Sequence, residues 1–171
     1  MDGQYSVKEL PLGMPRLVRI VGIGAGASGL NMIRTLRQHL VQPYEHVVYE
    51  KNAAVGGTWY ENRYPGCRCD VPSHNYQFSW KTKLDWSNFC APAAEIEEYL
   101  CQICEEENMG PVIKTSHRVR SARWDEPRGV WELTVQDSEG QVFDDHAHFL
   151  VDAGGILKYV FIRYGHFALA C

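Results

Sequence analysis

No stretch of this 171-residue chain approaches the about 18 consecutive apolar residues that a membrane-spanning helix requires. The amino terminus has no basic segment leading into an apolar core, so no secretory signal peptide is read, and the chain is expected in the cytoplasm. A basic excess is missing as well. Seventeen Lys and Arg stand against 21 Asp and Glu, a net charge of −4, which excludes the electrostatic footprint of a nucleic-acid binder. There is no internal repeat, no low-complexity tract and no paired cysteine motif at zinc spacing. Cys101 and Cys104 form a lone CxxC in an acidic, helix-forming stretch, which places two thiols on one helix face. With Cys67 and Cys69 in a loop, the cysteines are expected as free thiols, and no metal is expected.

What is present is enough apolar side chain, 45% of residues, for one packed domain of ordinary size. Residues 1–16 are polar and carry Pro11 and Pro15, a flexible lead-in. Residues 17–23 (Leu-Val-Arg-Ile-Val-Gly-Ile) predict a buried strand. Leu30, Ile33, Leu36 and Leu40 then recur at helical spacing, predicting an amphipathic helix to about residue 41. A second strand is expected over 47–50. Residues 51–90 are aromatic, punctuated by Gly and Pro, and without clean periodicity, as long functional loops are. A helix is expected over 91–109, closed by Gly110. Three strands follow near 116–124, 129–136 and 147–153, separated by turns at Glu126–Gly129 and Asp137–Gly140. The fold class is therefore α/β: a Rossmann-like parallel sheet with a small β-meander.

The sharpest signal is Gly24-Ala25-Gly26-Ala27-Ser28-Gly29, a GxGxxG set between the first strand and the first helix. Gly24 permits the tight turn, Gly26 lets backbone approach a pyrophosphate, and Gly29 lets helix and strand pack closely. The helix amino terminus turns its unpaired N–H groups and positive dipole end toward phosphate. Glu50 lies 21 residues after Gly29, at the end of the second strand, where a carboxylate accepts ribose 2′-OH bonds and repels a 2′-phosphate. This first site suits FAD or NAD. A second glycine pair, Gly56-Gly57, precedes Thr58-Trp59-Tyr60-Glu61, and Arg63, Arg68 and Asp70 charge the same loop. By composition alone that loop also reads as an ordinary solvated turn.

Together the fingerprint, Gly56-Gly57-Thr58-Trp59 and the run Asn62-Arg63-Tyr64-Pro65-Gly66-Cys67-Arg68-Cys69-Asp70 resemble the start of flavin-dependent Baeyer–Villiger monooxygenases. Trp86-Ser87-Asn88-Phe89 and Arg123-Trp124-Asp125-Glu126 are similar to that family too, and the resemblance covers about residues 17–157. It implies two cofactors, FAD and NADPH, and an O₂-dependent insertion of oxygen beside the carbonyl of a small-molecule ketone, giving an ester or lactone. Carried over residue by residue, Gly24, Gly26, Ser28 and Gly29 would hold the FAD pyrophosphate and Glu50 the adenosine ribose. Thr58, Trp59, Tyr60 and Glu61 would line the flavin, with Asp70 and Tyr76 close to its ring system. Val119 would give a backbone contact to adenine. Arg68, Cys69 and Asp70 would face the nicotinamide, and Asp70 would be the catalytic carboxylate, working beside an arginine.

Against the family pattern, Gly154 stands where an Ala-Thr-Gly turn has Thr. Residues 158–171 diverge, and neither Phe-x-Gly-x-x-x-His-x-x-x-Trp nor a second GxGxxG occurs in the sequence. The reading is thus a partial FAD-binding domain over 17–157 with a divergent tail, whose uncovered strand edges favour self-association. The alternative is a non-catalytic flavin-binding fragment or a decayed product without turnover of its own. A plain NAD-dependent dehydrogenase is the weakest option, since no Tyr-x-x-x-Lys pair is present.

Overall fold

The structure, a computed structural model, describes residues 13–155 and the backbone of residues 162–163 and 166–168. Most of the expected lead-in and most of the tail lie outside the described residues. The order of elements is β1 (Val18–Ile23), α1 (Ala27–His39), β2 (Tyr44–Tyr49), α2 (Thr58–Glu61), a 3₁₀ turn (Ser73–Tyr76) and α3 (Ala93–Glu106). A second 3₁₀ turn (Gly110–Val112), β3 (Ile113–Lys114), β4 (Arg118–Asp125), β5 (Val130–Gln136), β6 (Val142–Ala147) and β7 (Phe149–Asp152) follow. Two short strands, β8 (Ile162–Arg163) and β9 (His166–Ala168), pair with each other, and β9 lies against β4.

The expected parallel sheet is there, in the order β3-β2-β1-β7 with every pair parallel. Alternation along β2 explains how it is covered. Val48 points to one face, into a cluster with Leu30 and Ile33 of α1 and Tyr99, Leu100 and Ile103 of α3. Val47 and Tyr49 point to the other, where they meet Val119, Ala122, Leu133, Val135 and Ala147 of the antiparallel meander. The result is three layers: helices, parallel sheet, meander. Parallel strands joined by helical crossovers require such cover on both faces.

The meander differs from expectation by one strand. β6 reads Val-Phe-Asp-Asp-His-Ala and is mostly exposed at the edge of its sheet, so it carries no apolar period to announce it. It is held instead by full pairing with β5, from Trp131 opposite Ala147 to Gln136 opposite Val142. Its inward Asp145 ties the layers together. Arg19 of β1 donates to both Asp145 oxygens, from Nε at 3.0 Å and from Nη2 at 2.7 Å, and the Tyr49 hydroxyl of β2 donates to Oδ2 at 2.7 Å. Burial works against the Asp145 charge. The bonds from Arg19 and Tyr49 outweigh it, and the carboxyl is held below the usual aspartate value.

Candidate dinucleotide-binding site

Strand ends β1, β2 and β7 meet at the glycine fingerprint. Gly24 N–H donates to the Tyr49 carbonyl at 2.8 Å, and Ala153 N–H donates to the Ile23 carbonyl at 2.9 Å. Gly24 has φ +97°, and a Cβ there would stand 2.8 Å from the Ala153 oxygen. A Cβ on Gly29 would stand 2.1 Å from the Gly24 oxygen, which is the close helix-to-turn packing expected of that position. At the first turn of α1, no side chain among the described residues caps the helix, and the turn carries no acidic residue. Ala27 and Ser28 are exposed there. An open amino terminus on a 13-residue helix fits an anionic group such as a pyrophosphate.

Glu50 is buried, 3% exposed, rather than a surface carboxylate. Its Oε2 accepts the Ala25 N–H at 2.7 Å and its Oε1 accepts the Asn52 N–H at 2.8 Å. Each carboxylate oxygen has a second lone pair, so capacity for a ribose hydroxyl remains. The backbone around it is fixed too: Glu50 N–H donates to the Lys114 carbonyl, and His117 N–H donates to the Glu50 carbonyl. Val119 follows two residues after His117, buried in the meander cluster and paired with Val135 just before a bulge in β4.

The second glycine pair packs on the first. Gly56 N–H donates to the Ala25 carbonyl at 3.0 Å, and a Cβ on Gly57 (φ +55°) would stand 3.0 Å from the Gly26 Cα. Two backbones approach this closely only as glycine on glycine. Gly57 opens α2, whose four residues then diverge. Trp59 meets the Tyr76 ring edge-on, centroids 4.9 Å apart at 90°. Tyr60 carries the Arg63 guanidinium over its ring, and Arg63 pairs with Glu97 of α3. Glu61 accepts from Asn52 at 2.8 Å and pairs with Lys51 at 3.1 Å. The Thr58 carbonyl accepts the Asn62 N–H. Tyr60 and Glu61 thus brace α2 against α3 and the end of β2, while Trp59 extends toward Asp70.

The segment around Asp70 runs antiparallel to the approach of α3. Cys69 N–H donates to the Ala91 carbonyl, Ala93 N–H to the Cys67 carbonyl and Ser73 N–H to the Phe89 carbonyl. Alternation along this extended stretch leaves Arg68 and Asp70 exposed and buries Cys69 against Ala91 and Ile96. The Cys69 side chain therefore packs into the core, while its two neighbours stay open. Tyr76 donates its hydroxyl to Asp70 Oδ1 at 2.9 Å. Burial, with the bond to Asp70 second, pushes the Tyr76 phenol up to about 12.

Two residues that hold the site carry no motif. Ser73 is fully buried: its Oγ accepts the Ala91 N–H at 2.8 Å and lies 2.8 and 2.9 Å from the Asn88 and Phe89 carbonyls. Asn52 joins Glu50 to Glu61. Ser73 acts on partners 15 to 18 positions away, which no local spacing reveals, whereas Asn52 closes the short loop between β2 and α2.

Contacts therefore run unbroken from Glu50 through Ala25, Gly26, Gly57, Trp59 and Tyr76 to Asp70. Residues 23–92 match the NAD(P)-binding Rossmann-like domain. The chain is 36% identical over 164 residues to an FAD-binding monooxygenase, stcW, of Emericella nidulans, covering 92% of this chain and 27% of that protein. A Baeyer–Villiger monooxygenase of Pseudomonas aeruginosa is 36% identical over 132 residues, 77% of this chain and 24% of the relative. An open crystal structure of cyclohexanone monooxygenase superposes with a TM-score of 0.72 at 31% identity, covering 86% of this chain and 29% of that one. Oxidized steroid monooxygenase bound to NADP gives 0.69 at 35% identity, over 82% of this chain and 26% of the other.

This chain belongs to the class B flavin monooxygenase family.

It matches the amino-terminal portion of its relatives and spans about a quarter of their length. FAD and NADPH serve that family. No helix among the described residues is long and apolar enough to cross a membrane.

Proposed function

We propose that this chain is the FAD-holding part of a Baeyer–Villiger-type monooxygenase, whose full reaction uses NADPH and O₂ to insert oxygen beside a ketone carbonyl. The observation that carries the reading is the unbroken line of contacts from Glu50 to Asp70, which has the order of an extended dinucleotide. Glu50 and the Val119 backbone would serve the adenosine end. Gly24, Gly26, Ser28 and Gly29, with the open end of α1, would hold the pyrophosphate. Thr58, Trp59 and Tyr76 would lie along the flavin, with Tyr60 and Glu61 keeping α2 in place. Arg68 and Asp70 would stand at the ring end, toward nicotinamide and ketone. Bound there, the flavin supplies the redox chemistry, while these residues bind, orient and exclude water. A cytoplasmic setting, and self-association through the β7 edge, where Phe149 and Val151 are exposed, belong to the same reading.

Thermal-shift and fluorescence titrations of the full chain with FAD and with NAD test it. At 100 times its Kd a ligand stabilises the fold by about 2.7 kcal/mol. FAD is expected to raise Tm well beyond NAD; equal shifts, or none with FAD, overturn the reading. NADPH consumption with FAD, O₂ and a panel of cyclic ketones then separates the two remaining cases. Ketone-dependent ester formation supports the full activity, and FAD binding without turnover supports a flavin-holding chain with none of its own.

A further inference from the structure

We propose that Tyr76 is the positioning residue for Asp70: its hydroxyl holds the exposed carboxylate in one orientation at the flavin end of the site. The inference rests on the FAD reading for its consequence but on this chain's own contacts for its geometry.

The backbone of Asp70 is already fixed. The three N–H to carbonyl bonds that join residues 67–73 to 89–93 leave the Asp70 Cα little freedom. Its side chain is another matter, since an exposed carboxylate on an outward-facing position samples its rotamers in water. Among the described residues the Tyr76 hydroxyl restrains it, at 2.9 Å from Oδ1. Tyr76 suits that task because its own ring is restrained twice. Trp59 meets it edge-on at 4.9 Å, and it packs on the cluster of Cys69, Ala91 and Ile96. Tyrosine has only two side-chain torsions, so little freedom is lost in presenting the hydroxyl. A phenylalanine would make the same ring contacts; the hydroxyl adds only the bond to Asp70. The chain from Trp59 through Tyr76 to Asp70 thus sets a negative charge at a fixed place relative to α2, and a fixed charge acts on a nearby redox group through Coulomb's law.

Tyr76→Phe and Asp70→Asn, made in the full chain and loaded with FAD, test this through the reduction potential of the bound flavin. A carboxylate held beside the ring disfavours the anionic reduced flavin, so Asp70→Asn is expected to raise the potential. Tyr76→Phe should raise it in the same direction. A raised potential in Asp70→Asn with an unchanged one in Tyr76→Phe overturns the proposal. A second measurement needs no flavin. With [¹³Cζ]tyrosine, the Tyr76 phenol should titrate at lower pH in Asp70→Asn than in the wild type, because the charge that holds its proton is gone and only a neutral acceptor remains. An unchanged midpoint overturns the proposal. If the wild type holds no FAD, or Asp70→Asn leaves the potential where it was, the flavin reading fails; the phenol titration still decides whether Tyr76 holds Asp70.

Discussion

Glu50 Oε2 accepts the Ala25 N–H at 2.7 Å, across 25 positions of sequence and inside the protein. The acid at the end of β2 is therefore a strut of the fingerprint loop as well as a candidate ribose acceptor. With its second oxygen on the Asn52 N–H, it needs two acceptors in one side chain. Glu50→Gln supplies one acceptor and turns an amide N–H₂ toward a backbone N–H. A cost of about 1–3 kcal/mol is expected, the range for an orphaned buried donor. Urea denaturation without any ligand checks it, and an unchanged midpoint would show that the loop does not depend on the carboxylate.

The network of Arg19, Asp145 and Tyr49 predicts an acid limit. The folded Asp145 carboxyl lies below its ordinary value, so its contribution is present above about pH 4 and is lost as pH falls through the lower folded value. Stability measured by urea from pH 6 down to pH 2 should fall along that limb, and Asp145→Asn should flatten it. Tyr49→Phe removes a hydroxyl bond to a charged acceptor and should cost about 1.5–3 kcal/mol at neutral pH.

His46 predicts a second pH effect at a higher pH. Burial, with the nearby Arg37 charge second, lowers its pKa, and its Nε2 is buried without a hydrogen-bond partner among the described residues. The folded protein thus resists a proton that the unfolded chain accepts. Stability is full above about pH 6.5 and declines as pH falls from there to the lower folded value. His46→Leu should remove that decline between pH 7 and pH 5 in a Tm series. Parallel curves for variant and wild type would sink the idea.

How much of this was legible in the sequence depends on whether a partner is local. β1, α1 and the end of β2 were read within a few residues because the apolar period and GxGxxG act within one βαβ unit. β2 begins three residues earlier than expected, at Tyr44, since its first residues are half-buried or exposed and carry no apolar run. β6 escaped because an exposed edge strand is polar. The contact of Gly57 with Gly26 escaped because it depends on how the long loop returns. The burial of Cys69 escapes a sequence reading because it follows from the alternation imposed by pairing with Ala91.

Ser73 is the non-local case with the clearest consequence. Its Oγ serves the Ala91 N–H and two carbonyls of residues 88–89 in a site closed to water. Ser73→Ala orphans the Ala91 N–H and should cost about 1–3 kcal/mol. Hydrogen exchange should show lost protection in residues 67–73 and 88–93 together, with β4 and β5 unaffected. Loss spread evenly over the chain would instead mean that Ser73 supports the whole fold rather than this clasp.

Two glycines give opposite expectations for one substitution. A Cβ at Gly29 meets the Gly24 carbonyl oxygen at 2.1 Å, and that oxygen is backbone held by the turn out of β1. The turn cannot retreat, because Gly24 is also bound to Tyr49 and crowded by Ala153. Gly29→Ala should therefore cost at least the about 1–3 kcal/mol of an overpacked core, through a shift of α1 away from β1. Gly110 has open space where its Cβ would go, and its φ is not in the left-handed region. Gly110→Ala should be neutral or stabilising by about 0.4–1 kcal/mol, since it only narrows the unfolded ensemble. Paired urea titrations of the two variants check both signs at once. A Gly29→Ala protein as stable as the wild type would mean that α1 has room the packing denies, and the fingerprint's third glycine would lose its structural reason.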